Sequence, residues 1–185
     1  MTQTTRRNFA LGLGATSLLA ACNNGVGGDG AAMIDARVDE TLRYMYSTYP
    51  GTQDLASKAQ GMLVMPLVTE VGLWVGGSYG RGALRIGQTS VDYYSAASAS
   101  TGFQVGAQQF SHVLFFMTEQ ALMDFRRGSG WLAGADLAYA LNDQGEMLRA
   151  DTTTTRDPVI AVVFAQAGFR IGATLQGTKY SRIVP

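Results

Sequence analysis

Four five-residue units constrain this chain more than any other feature: Gly72-Leu-Trp-Val-Gly76, Gly102-Phe-Gln-Val-Gly106, Gly130-Trp-Leu-Ala-Gly134 and Gly168-Phe-Arg-Ile-Gly172. Each reads glycine, bulky apolar, any residue, apolar, glycine, and a small residue follows (Gly77, Ala107, Ala135, Ala173). A two-residue period puts the apolar positions on one face of a strand and both glycines on the other. Glycine weakens a flat strand but permits bends, bulges and close backbone approach. The units start 30, 28 and 38 residues apart, too uneven for a solenoid. They read as strands of one sharply curved sheet.

The residues between the units complete that reading. From 33 to 49, Ile34, Val38, Leu42, Met45 and Tyr49 fall on one helical face, with Asp35, Arg37, Asp39, Glu40 and Arg43 mostly off it. Pro50-Gly51 ends this helix, and 52–59 supplies a second, short one. Strands are expected at 62–65 before Pro66, at 71–79 and 82–86 around a hairpin turn at Gly80-Arg81, and at 91–97, 102–110 and 112–117. Thr118 is a hydroxyl N-cap for a helix with Glu119 in its first turn, Arg126-Arg127 at its end and Gly128 as the stop. The sheet resumes over 130–141, a polar segment with a candidate edge strand fills 146–157, and strands at 159–164 and 168–175 close the chain. The expected class is α+β: a strongly coiled or barrel-like antiparallel sheet with N-terminal helices and one mid-chain helix.

The N-terminus reads as an export label. Arg6-Arg7 precedes a modest apolar run, 9–21, that ends in Leu19-Ala20-Ala21-Cys22. The run is too short to span a bilayer, and its charged start and small-residue end describe a signal peptide. Thr5-Arg6-Arg7-Asn8-Phe9 resembles a twin-arginine signal, and Leu19-Ala20-Ala21-Cys22 resembles a bacterial lipobox whose cysteine becomes acylated. The expected organisation is a signal over 1–21, a lipidated Cys22 with a flexible tether over 22–31, and one domain over 32–185. Cys22 is the only cysteine, so no disulfide forms within one chain. In a Gram-negative host, Asn23 rather than aspartate after the cysteine would favour outer-membrane sorting, with the domain facing the periplasm or the cell surface.

Reactive groups are scarce. Basic and acidic residues number 14 each, so no basic excess calls for nucleic acid. The single histidine, His112, excludes metal sites built on several imidazoles, and no cofactor motif is present. His112 adjoins Val113-Leu114-Phe115-Phe116 and reads as a strand histidine satisfied by local hydrogen bonds. Ser78 or Ser129, His112 and Asp136 could form a hydrolase triad on paper, but no serine sits in Gly-x-Ser-x-Gly. Gly76-Gly-Ser-Tyr-Gly-Arg-Gly82 lacks the lysine of a phosphate loop. Asp136 lies in an apolar stretch, where a carboxylate needs a partner. Arg170, framed by Gly168 and Gly172, is free to meet a carboxylate such as Asp136 or a lipid phosphate.

Gly61-Met-Leu-Val-Met-Pro66 followed by Val71-Gly-Leu-Trp-Val-Gly-Gly-Ser-Tyr-Gly-Arg-Gly-Ala-Leu84 resembles the opening of the SYLF domain. The resemblance continues through Thr101-Gly-Phe-Gln-Val-Gly-Ala-Gln108, Val113-Leu-Phe-Phe-Met117, Gly134-Ala-Asp136 and Gly168-Phe-Arg-Ile-Gly-Ala-Thr-Leu-Gln-Gly177, covering about 32 to 179. It implies a non-enzymatic domain that binds membrane lipids, phosphoinositides in eukaryotic members, and actin in fungal ones. Bacterial relatives are commonly exported lipoproteins. Lipid binding in eukaryotic members is attributed to a basic N-terminal helix, whose counterpart here offers Arg37 and Arg43.

These observations set the expected function. The chain is a membrane-anchored lipoprotein whose domain binds lipid without catalysis, with Arg37, Arg43 and Arg170 as candidate contacts to anionic head groups. The alternative is an envelope protein that binds a protein partner, actin-like by family analogy, and touches lipid only through the acylated Cys22.

Overall fold

The computed structural model describes residues 29–72, 75–101, 106–128, 130–134, 137–139, 157–164 and 175–185. Three helices, α1 (Gly30–Thr48), α2 (Thr52–Lys58) and α3 (Glu119–Arg127), flank eight strands: β1 (Gly61–Gly72), β2 (Val75–Ile86), β3 (Thr89–Thr101), β4 (Gly106–Phe116), β5 (Trp131–Leu132), β6 (Ala138–Tyr139), β7 (Val159–Phe164) and β8 (Lys179–Ile183). All eight lie in one sheet in the order β5-β8-β3-β2-β1-β4-β7-β6. The pairs are antiparallel except β6 with β7, which is parallel and departs from the all-antiparallel expectation.

The sheet curls into a half-barrel. On a flat sheet, the four strand steps from β8 to β4 would cover about 19 Å. The side chains of Tyr180 on β8 and His112 on β4 nevertheless meet at 2.8 Å. Inside the curl lie Leu63, Met65 and Val68 of β1, Leu84 of β2, and Phe110, Leu114 and Phe116 of β4. Helix α3 closes this side with Leu122 and Phe125. The Phe125 ring contacts Tyr94, Phe116, Trp131 and Tyr180 at centroid distances of 4.7, 4.8, 5.6 and 6.2 Å. The expected N-cap is in place, since Thr118 Oγ1 accepts the N–H of Ala121.

On the outer face α1 buries Ile34, Val38, Leu42 and Met45, four of the five stripe positions, against Met62 and Val64 of β1, Ala83 of β2 and Val113 and Phe115 of β4. The helix stops at Tyr49, and the Thr52 hydroxyl donates to the Tyr49 carbonyl at 2.7 Å to start α2.

A bulge in β1 corrects two expectations. The strand does not end before Pro66 but runs through it. Met65 and Pro66 stand opposite Gly82 alone, and Pro66 and Leu67 opposite Ser111 alone. Proline lacks an N–H and is tolerated at a bulge. The Ser111 hydroxyl donates to the Pro66 carbonyl at 2.7 Å, so β4 passes unbroken through Ser111 where two strands had been expected. The extra residue reverses the alternation: Met62 and Val64 face α1 before the bulge, and Leu67 and Val71 share that face after it.

Gly80-Arg81 is likewise not a turn. It lies in the middle of β2, and the reversal to β3 comes at Gly87-Gln88, where Gly87 has φ +59°. The glycines answer the bulge instead. A Cβ on Gly82 would overlap the Val64 carbonyl oxygen, and one on Gly80 would stand 2.7 Å from both the Leu67 oxygen and Val68 Cγ2. Close approach to a bulged neighbour selects glycine here.

Among the described residues of the expected sheet over 130–141, the strands are β5 and β6, and β8 was not anticipated. In the unit 130–134, Trp131 is partly buried and Ala133 buried, while Leu132 between them is exposed, as its alternation requires. The unit at 102–106 and the one at 168–172 fall largely or wholly outside the described residues, as do the strand expected at 168–175, except Leu175, and the polar segment 146–157, except Asp157.

Candidate functional site

Two neighbouring surfaces and one buried pair are the candidate functional features of the described residues. The first surface is the half of the outer sheet face that α1 does not reach. Leu67, Val71 and Tyr79 are exposed there, beside Met33 in the first turns of α1. Tyr79 and Met33 retain 56% and 54% of their accessible area, unusual for large apolar side chains grouped together. Between helix and sheet is a cleft of about 410 Å³ that Arg37 and Arg81 line. Asp29, the first described residue, sits at its edge.

The second surface is a trough between α1, α2 and the β2–β3 turn. At its floor is Arg85, next but one to Ala83 on the same face of β2. Arg85 Nη1 binds Asp39 Oδ1 at 2.7 Å, and Nε donates to Ser90 Oγ at 3.3 Å. The Ser90 hydroxyl in turn donates to Asp35 at 2.7 Å, and Tyr93 donates to the other Asp35 oxygen at 2.9 Å. These contacts lash α1 to the β2–β3 hairpin through its two aspartates. Burial, and then the Asp35 carboxylate, raise the Tyr93 pKa above its ordinary value.

The buried pair is His112 with Tyr180. His112 Nε2 and the Tyr180 hydroxyl are 2.8 Å apart, and the ring also stacks on Phe110 at 5.8 Å. His112 is completely enclosed, and burial pushes its pKa down to about 3. The imidazole is therefore neutral near pH 7. Burial also raises the Tyr180 phenol. His112 Nδ1 has no hydrogen-bond partner among the described residues. The expectation of a strand histidine holds, with a partner 68 residues away rather than a local one.

Among the described residues no serine partners His112. The Ser78 hydroxyl is engaged with Ser98 at 2.7 Å, and the imidazole lies inside the core beside a tyrosine. Ser129 and Asp136 lie outside the described residues. So do Arg6, Arg7, Cys22 and Arg170, and the expected Asp136–Arg170 pairing with them.

The two helical arginines part company. Arg37 joins Arg81 at the first cleft, whereas Arg43 lies at the rim of the trough near Arg85, its Nε donating to the Asp39 carbonyl at 3.3 Å. Arg81, Arg85 and Tyr79 were not anticipated. Their alternation (Tyr79, Arg81, Ala83, Arg85) is legible only when 75–86 is taken as one strand. Among the described residues no group of three or more His, Cys, Asp or Glu could hold a metal ion, and no helix is long and apolar enough to cross a membrane.

The sequence and this fold meet in one comparison. Residues 97–182 match the family model described as Ysc84, Las17-binding protein actin regulator. No curated protein matches the chain closely enough to count as a relative. Residues 97–182 thus carry a match to the Ysc84 family model, the SYLF family that the glycine-framed strands resemble.

Proposed function

We propose that this protein is a lipoprotein anchored through Cys22, and that its domain is a non-catalytic module resting on the membrane by the outer sheet face beyond α1. The observation that carries this reading is the grouping of Met33, Leu67, Val71 and Tyr79 with Arg37 and Arg81. Apolar side chains that enter the head-group boundary and cations that meet its phosphates are the two components of interfacial binding. The face also borders Asp29, seven residues after Cys22. That length spans at most about 25 Å, so an acylated Cys22 would hold this face close to the bilayer. Export by the twin-arginine route, the envelope location and the absence of turnover belong to the same reading.

Flotation of the non-acylated Cys22→Ser chain with phosphatidylglycerol and phosphatidylcholine vesicles, at two salt concentrations, tests it. Binding to the anionic vesicles should weaken with salt. An Arg37→Gln/Arg81→Gln variant should lose about 2 kcal/mol, or roughly 30-fold, at about 1 kcal/mol per cation near an anionic surface. No binding to either vesicle would leave the acyl chains as the only membrane contact. The second reading, a protein partner for the same face, is favoured by the description of the matched family as binding a protein and regulating actin.

A further inference from the structure

Among the described residues Met33 is the one exposed methionine. Met45, Met62 and Met65 are buried and Met117 and Met123 are partly covered, whereas Met33 keeps 54% of its accessible area. It stands in the first turn of α1, one position before the buried Ile34, and belongs to neither apolar core. Instead it lines the cleft of about 410 Å³ together with Arg37, Leu67, Tyr79 and Arg81. A flexible thioether on such a face adapts to irregular apolar surfaces. It is also the side chain of this patch that peroxide converts from apolar to polar, as the sulfoxide.

The position of the sulfur gives that conversion two effects. Met33 and Arg37 are four residues apart, neighbours on one face of α1, and Arg81 lies on the sheet side of the same cleft. A sulfoxide at Met33 removes an apolar contact from the centre of the membrane-facing patch. Its oxygen is also a hydrogen-bond acceptor beside Arg37, in competition with a lipid phosphate for the guanidinium. The fold itself is spared, because the side chain contributes to neither core.

We propose that Met33 is a site of reversible oxidation that releases this surface from the membrane; the release rests on the membrane-facing reading of the patch. The Met33 sulfur attacks one oxygen of a hydroperoxide. An S–O bond forms, the O–O bond breaks, and the sulfur gives up two electrons. With hydrogen peroxide, the departing hydroxide takes the proton left on the transferred oxygen and leaves as water. A methionine sulfoxide reductase, drawing two electrons from a dithiol, restores the thioether and releases the oxygen as water.

The test treats the full Cys22→Ser chain with dilute hydrogen peroxide, removes the oxidant, and floats the protein with phosphatidylglycerol vesicles. Peptide mass mapping should show sulfoxide at Met33 forming roughly tenfold faster than at the buried Met45 or Met65. The oxidised chain should bind the vesicles roughly tenfold more weakly than the untreated one, with an unchanged urea midpoint. Met33→Leu, whatever its starting affinity, should keep it through the same treatment. Met33→Gln, polar without any oxidant, should bind about as weakly as the oxidised chain. Oxidation of Met33 no faster than of Met65 would overturn the proposal. So would an equal loss of binding by treated Met33→Leu, or undiminished binding by Met33→Gln. If the untreated chain does not bind the vesicles at all, the membrane reading falls and the release with it, while mass mapping still decides whether Met33 is the site of oxidation.

Discussion

Mild acidification should destabilise this protein through a single side chain. His112 is the only histidine in the chain and is fully buried, with its pKa lowered to about 3 against about 6.5 in the unfolded chain. Between those values the unfolded state binds a proton that the native state does not, so stability rises with pH and is lost as pH falls below 6.5. From pH 7 to pH 5.5 the linkage relation gives a loss of about 1.3 kcal/mol. That figure is insensitive to the native value, because the native imidazole stays neutral throughout. Ordinary carboxyl groups titrate near 4, below this range. Urea unfolding at pH 7.0, 6.0 and 5.5 would measure it, followed by tryptophan fluorescence, since Trp131 packs 5.7 Å from Tyr180. The His112→Gln variant, which has no imidazole to titrate, should be nearly flat over the same range. Stability that is unchanged or higher at pH 5.5 in the natural chain would refute a neutral, enclosed imidazole.

Three further substitutions probe the packing. Gly82→Ala should cost at least about 3 kcal/mol or abolish folding, because its Cβ would meet backbone of the bulged strand that cannot yield; a soluble variant with an unchanged urea midpoint would contradict the bulge. Phe125→Ala should cost about 3–5 kcal/mol, read from the same unfolding curves, since four aromatic rings lose their shared neighbour. Thr118→Ala should cost about 1 kcal/mol through loss of the α3 cap, and Thr118→Ser should recover most of it.

The parts of this fold that follow local rules could be read from the residues. The α1 stripe, the Thr118 cap and the Gly128 stop each depend on neighbours within a few positions. The β1 bulge does not. Whether Gly80 and Gly82 make a turn or clear a neighbouring backbone depends on Val64, Leu67 and Val68 across the sheet, and turn chemistry was the nearer explanation. That one misreading also hid the candidate sites, because Tyr79, Arg81 and Arg85 share a face only on an uninterrupted strand. Strand β8 was missed for another reason: Lys-Tyr-Ser-Arg-Ile has little apolar alternation, and it is held by pairing with β3 and by Tyr180 reaching His112. Arg37 was legible as a surface cation, but its company with Arg81 was not.

The strand order has a consequence for how the protein can be divided. The family match begins at residue 97, inside β3, and leaves out β1 and β2. Those are the two strands that join β3 to β4 at the centre of the sheet. A fragment limited to the match would hold β5 and β8 beside the end of β3, and β4 with β7 and β6, as two groups with no strand between them. Both would expose edges that normally bond to β1 and β2, and exposed edges of this kind pair with other chains. Expressed alone, residues 97–182 should aggregate, and adding residues 30–96 should restore a soluble monomeric or defined species. That outcome would make the unit recognised by sequence smaller than the unit that can fold.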